Sequence, residues 1–224
     1  MTGSFGAWTG AAKLGDAPLP PQPTTWDSTQ NIGPVTLSNG DLTFTTPNNG
    51  GGNDGAATRS VAGVTTGKYY WEVTINSAST NPPKRPAIGI VGSGTLRPNV
   101  AGVWFGNSRV IIDTNKLWNN VNGTLGFANG GLTTNQVNDT WGVAFDADSR
   151  AVWIRRNSTW YNGASDAEIT SGNTANAVGL VTSSALYYAA IGNYDPGSSW
   201  AMTANFGNSA YVHTPPTGFG PLIS

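Results

Sequence analysis

The chain has 224 residues, which suits one sandwich or barrel, or at most two small domains. Charged residues make up 10% of it and the formal net charge is −1. An ordinary soluble domain is ~25% charged; with no basic stretch to track a phosphate backbone, nucleic acid is not an expected partner. There is no cysteine and one histidine, His213, which excludes disulfides, thiolate nucleophiles, cysteine zinc sites and multi-histidine metal centres.

The opening segment, MTGSFGAWTGAAKLG, has no basic run followed by an apolar core, so no classical signal peptide is expected. No later stretch approaches the ~20 apolar residues of a membrane span, so membrane insertion is not expected either. Residues 1–25 lack a sustained period and end in PLPPQPTT, an extended, semi-rigid proline-rich linker. Phe5 and Trp8 in this arm are odd for a purely solvated tail. They fit an arm that packs on its own domain or one that docks on a neighbouring subunit.

Residues 26–224 read as one domain. PVTLSNGDLTFT (34–45) predicts a hairpin about Asn39-Gly40, the pair best suited to a tight type I′ turn. A glycine- and asparagine-rich loop (47–56) leads to a short strand at 58–63 and a longer one at 67–75. Further strands are expected at 86–92, 101–106, 109–113 and 123–128, with 113–123 as an asparagine-rich loop. TWGVAFDAD (140–148) and RAVWIRRN (150–157) form a second hairpin, ended by WYNG. A turn or two of helix fits 164–178, and 186–194 with 199–207 make the last pair of strands. About a dozen short strands with Gly/Asn turns imply an all-β, two-sheet antiparallel β-sandwich.

One strand carries an unusual charge. In TGKYYWEVTI (66–75), Glu72 is one of two glutamates in the chain. Alternation puts Tyr69, Trp71, Val73 and Ile75 on one face, expected to pack between the sheets. Tyr70, Glu72 and Thr74 fall on the other face, solvated or covered by a loop. A glycosidase would need two carboxyls ~5–5.5 Å or ~6.5–9.5 Å apart. The flanking positions on that face are Tyr70 and Thr74, and Glu168 falls in an expected loop. A structural role for Glu72 is therefore the default.

Several loop residues suit recognition. Trp118, Asn119 and Asn120 combine an apolar ring with amides that both donate and accept, a pairing suited to sugars. Arg97 sits in an expected loop and suits a carboxylate. Tyr194 has the rigid, amphipathic character of a contact residue. Alternation across STWYNG (158–163) is expected to expose Trp160 or Tyr161. Asp146 and Asp148 alternate in the second hairpin turn and are weak calcium candidates, since the rest of an EF-hand loop is missing. His213 has no Ser-and-Asp signature nearby, so a catalytic triad is not expected. No cofactor motif is present.

GKYYWEVTI resembles the signature strand of SPRY domains, where a glycine, an aromatic pair and Trp-Glu-Val recur together. PAIGIVG, TWGVAFDADSRAVWIRRNSTWYNG, YYAAIGNYDPGSSWAMTANFG and PPTGF resemble later segments of that family, in its order, over about residues 26–220. The sequence departs from the pattern at Asp146–Arg150, where the family turn is glycine-rich, and at NSTWYNG, which replaces a compact Asn-Gly. The resemblance implies a concanavalin-like jelly roll that binds through loops at one end rather than catalyses. The Gly/Asn-rich composition is similar to SPRY-like modules of phage and bacterial surfaces. The expectation is a recognition module on a virion or extracellular surface, binding a host-surface glycan or protein, with no cofactor. Arg97, Trp118, Asn119, Asn120, Trp160 and Tyr194 are the contact candidates. Homo-oligomerisation is left open. The alternatives are a virion decoration or tail protein held to other virion subunits by residues 1–25, and a glycoside hydrolase on the same sandwich.

Overall fold

The computed structural model describes residues 21–47, 56–78, 86–93, 109–113, 116–119, 123–126, 137–181, 183–193 and 199–223. The expected strand at 101–106 and the aromatic residues of the arm lie outside them. The strands are β1 (Thr36–Ser38), β2 (Thr43–Thr46), β3 (Ala56–Val64), β4 (Lys68–Ala78), β5 (Pro86–Gly92), β6 (Arg109–Asp113) and β7 (Lys116–Asn119). They continue with β8 (Gly123–Gly126), β9 (Thr140–Asp146), β10 (Ala151–Arg156), β11 (Thr159–Trp160), β12 (Gly179–Leu180), β13 (Tyr187–Asn193) and β14 (Trp200–Asn205). One short helix, α1 (Asp166–Ser171), lies between β11 and β12.

Two sheets form among the described residues. The larger runs β1-β2-β14-β4-β9-β10-β11, with β12 also on β10; the smaller runs β3-β13-β5-β6-β7-β8. Every strand pair is antiparallel. The fold is thus an all-β sandwich, as alternation in the sequence predicts. Between the sheets, Trp71, Val73 and Ile75 of β4 meet Ile88 and Ile90 of β5 and Tyr187, Ala189 and Ile191 of β13. Trp26, Phe44, Trp141, Phe145, Trp200, Met202 and Phe206 complete this interior, all almost fully shielded from solvent. Burying one such side chain contributes on the order of 2 kcal/mol.

Four local expectations need correction. First, the Asn39-Gly40 hairpin is wider than a two-residue turn. Ser38 pairs with Thr43, so four residues form the connection, and Asn39, Gly40 and Asp41 all have positive φ. The added length is held by Trp26, whose main-chain N–H donates to Asp41 O at 2.9 Å and whose indole N–H donates to Leu42 O at 3.1 Å. Second, β13 and β14 are not a pair. They belong to different sheets, and β14 fills the gap between β2 and β4. Third, part of the expected loop at 113–123 is strand β7, which pairs with both β6 and β8. Trp118 and Asn119 therefore sit in the smaller sheet; Asn120 lies outside the described residues. Fourth, Glu168 stands on α1, where Ser165 and Glu168 close a reciprocal capping box.

Residues just after the proline-rich stretch are tied to the sandwich. Thr24 N donates to Leu222 O at 2.9 Å, Val61 N donates to Thr25 O at 2.9 Å, and Ala62 N donates to the Thr24 hydroxyl at 2.9 Å. The segment from Pro23 to Ile32 thereby bridges to β3 and to the C-terminal residues.

Candidate functional site

The densest cluster of ionisable groups among the described residues with perturbed environments lies on the outer face of the larger sheet. One register row crosses it: Asn205 on β14, Glu72 on β4, Gly142 on β9, Arg155 on β10 and Trp160 on β11. Glu72 points away from the sandwich interior, as alternation predicts, but it is only 1% exposed. The C-terminal segment covers it.

The covering follows from two asparagine- and carboxylate-centred turns. Past Asn205, β14 leaves the sheet. The Asn205 side chain accepts from Gly207 N at 3.0 Å and donates to Ala210 O at 3.0 Å, folding the chain back. Glu72 then accepts three hydrogen bonds: from the Tyr70 hydroxyl at 2.8 Å, Val212 N at 2.7 Å and His213 N at 2.8 Å. Tyr211 donates its hydroxyl to Tyr70 O at 2.9 Å and packs edge-on against the Tyr70 ring. Further on, Gly220 occupies the flank of β4 that β14 has vacated: Tyr70 N donates to Gly220 O at 2.7 Å and Gly220 N donates to Lys68 O at 3.1 Å. Phe219 closes over Trp153 in a second apolar layer with Trp160 and Ile169.

The electrostatics follow from burial. Burial first, then the Glu72 charge, pushes the Tyr70 and Tyr211 phenols far above their usual range. Burial, then the Arg155 guanidinium, holds the His213 imidazole below its usual value, against an upward pull from Glu72. Among the described residues, the charged groups that act on them are Glu72 and Arg155. A carboxylate already holding three donors is poorly placed as a nucleophile or proton carrier. What the arrangement does is pin the chain's last turn to the sheet.

The candidates read from sequence are not brought together by this cluster. Trp118 and Asn119 lie on β7, in the other sheet. Arg97, Asn120 and Tyr194 fall outside the described residues. Trp160, expected to share exposure with Tyr161, is 7% exposed. Its indole N–H donates to Asp166 at 2.8 Å and its ring lies beneath the Arg155 guanidinium at 4.9 Å. Tyr161 is half-buried on the opposite side, stacked on Trp141. Both are shielded because the strand ends at Trp160 and a 3-10 turn from Tyr161 to Gly163 redirects the next ring. Asp146 and Asp148 are taken up by the hairpin turn. Asp146 accepts from Asp148 N and Ser149 N at 3.0 and 3.2 Å, and Asp148 accepts from Gly67 N at 3.2 Å. Among the described residues, no three metal-ligating side chains gather.

Sequence reasoning missed Arg155 and the role of His213's main chain. The signal available was register: GVAFD opposite VWIRR places Gly142 beside Arg155 once Glu72 is aligned with Gly142.

The architecture is that of a SPRY domain. The structure is similar to the SPRY domain of human HERC1, with a TM-score of 0.56 and 15% sequence identity, covering 80% of this chain and 96% of that one. It also matches the stonustoxin structure at a TM-score of 0.47 and 12% identity, covering 82% of this chain and 27% of that one. No family model matches the sequence, and no curated protein matches it.

Proposed function

We propose that this SPRY-type sandwich is a non-catalytic recognition module, displayed on a virion or cell surface, that binds a host-surface glycan or protein through its sandwich-edge loops. The observation that carries this reading is the state of Glu72. Glu72, the acid of the strand Lys68–Ala78, is shielded from solvent and is held by donors from Tyr70, Val212 and His213. The sheet is thus built to be a rigid platform, and a rigid platform is what loop-borne recognition uses. Low charge and abundant Asn, Ser, Thr and Gly give the platform a neutral polar surface suited to hydrogen bonding with uncharged partners.

The test is an array of host-surface glycans and proteins probed with the full chain. Saturable binding that falls on Arg97→Ala or Tyr194→Ala, with the melting temperature unchanged, is the expected result. No binding to any member overturns the reading; binding indifferent to both substitutions removes the sandwich-edge loops as its contacts.

A second reading is favoured by the way Pro23, Thr24 and Thr25 are fixed to the sandwich beside its C-terminal residues. This gives the preceding arm a defined root from which to reach other virion subunits. Truncation of residues 1–20 should then abolish particle incorporation and leave the domain folded; incorporation without the arm removes this reading.

A further inference from the structure

The covering layer on the larger sheet stops at a definite line. C-terminal residues and α1 lie over Tyr70, Ala144, Ala151, Trp153 and Trp160, and the Glu72 clamp marks the border. Beyond it, the same outer face continues across β1, β2, β14 and the far half of β4 without a covering layer among the described residues. Its character changes completely there. One register row reads Ser38, Thr43, Thr203 and Thr74 across four strands and ends at the buried Thr140 of β9. The next reads Thr36, Thr45, Ala201 and Ser77. The large side chains of these strands, Phe44, Met202 and Ile75, all turn inward.

Threonine favours strands and lines many solvated sheet faces. Two further features set this face apart. It has no Lys, Arg, Asp or Glu in either row, although it includes β1, a terminal strand of the sheet, where charge ordinarily guards against association. Its hydroxyls also form a directed relay. Thr203 donates to Asn76 Oδ1 at 2.9 Å, so the 2.8 Å contact between Thr43 and Thr203 has Thr43 as donor. Each hydroxyl carries one donor and two acceptor lone pairs. The relay therefore spends the donors of Thr43 and Thr203 along the face toward the exposed Asn76, whose side-chain N–H donors have no partner among the described residues, and leaves acceptor lone pairs on the hydroxyls. The rows follow strand spacing, about 4.8 Å across the sheet and about 6.7 Å between same-face residues along it.

We infer that this face is the docking surface for a neutral polysaccharide, whose repeated hydroxyls both donate and accept and bring no charge to be compensated. The inference rests on the recognition reading above and moves the contact from the sandwich-edge loops to the sheet. An acidic glycan would lie against acceptor oxygens with no cation to meet it. A protein partner would ordinarily be anchored by a central aromatic or arginine cluster, and neither row contains one.

The experiment is affinity electrophoresis of the full chain through gels containing amylose, dextran, galactomannan or alginate. Retardation by at least one neutral polymer and not by alginate is expected. Thr43→Val with Thr203→Val keeps the strand-favouring shape and removes two hydroxyls. It should weaken that retardation about ten-fold, the size of effect expected for two hydrogen bonds of about 0.7 kcal/mol each. Thr45→Glu, at a position with no side-chain bond to lose, should abolish it, and it provides a second arm should the double variant fold poorly. Failure of every neutral polymer to retard the chain, retention by alginate alone, or retardation unchanged in a folded variant overturns the inference. Neutral-polymer binding that survives these variants but falls on Arg97→Ala or Tyr194→Ala leaves recognition in the loops and sinks only the sheet-face site.

Discussion

Gly142 on β9 stands directly opposite Glu72 on β4, and the missing side chain is what makes room for the clamp. A Cβ at Gly142 would crowd the Tyr70 hydroxyl and lie 2.8 and 2.9 Å from the Arg155 Cγ and Cδ atoms. Gly142→Ala should therefore cost about 2 kcal/mol through overpacking. Urea denaturation checks it, and amide exchange should show the loss concentrated at Val212 and His213.

Glu72→Gln keeps the shape and removes the charge. One amide oxygen cannot replace two carboxylate oxygens that together serve three donors, so a loss of about 2 kcal/mol is expected. The C-terminal residues should become the first site of proteolysis. Incubation of either protein with host polysaccharide should release no new reducing ends; their appearance with the native chain and not with the variant would make Glu72 catalytic.

His213 gives the stability a pH dependence. Its folded value is held below the usual 6.5, so the unfolded chain binds its proton more readily than the folded one. Stability should be full above about 6.5 and fall as pH drops from there through the lowered folded value. Thermal melts between pH 7.5 and 5 should show this slope, and His213→Gln should flatten it.

Trp160 separates packing from recognition. Trp160→Ala opens a hole beneath α1 and removes the bond to Asp166, for a cost of about 3–5 kcal/mol. Trp160→Phe should recover most of that. Loss of ligand binding by a Trp160→Phe protein of native stability would restore this residue to the contact surface.

The boundary of the arm is also measurable. A chain beginning after residue 25 loses the Thr24 and Thr25 pairings to Leu222, Val61 and Ala62. It should melt below a chain beginning after residue 20, a difference that a pair of calorimetric scans resolves.

The legible part of the fold is that governed by side-chain period. Trp71, Val73 and Ile75 could be assigned to the interior because alternation decides the face, and the ends of β5 and β6 fall where glycine, proline and aspartate mark them. Period does not say which strand lies alongside which. Hence β13 and β14, close in sequence and similar in pattern, could not be sent to different sheets. The burial of Glu72 was hidden for another reason. Two of its donors are main-chain groups at Val212 and His213, about 140 residues away, and a main-chain N–H leaves no mark in residue type. Trp160 misled because alternation was carried one residue past the end of its strand.

Thr43 of β2 and Thr203 of β14 are hydrogen-bonded neighbours separated by 160 residues of chain. The middle of the larger sheet thus cannot zip from a local nucleus; it waits until nearly the whole polypeptide has emerged and returned. Such late closure belongs with millisecond-to-second folding. During synthesis it leaves β2 and β4 with bare flanks, so a nascent chain stalled before Trp200 is the species most in need of a chaperone.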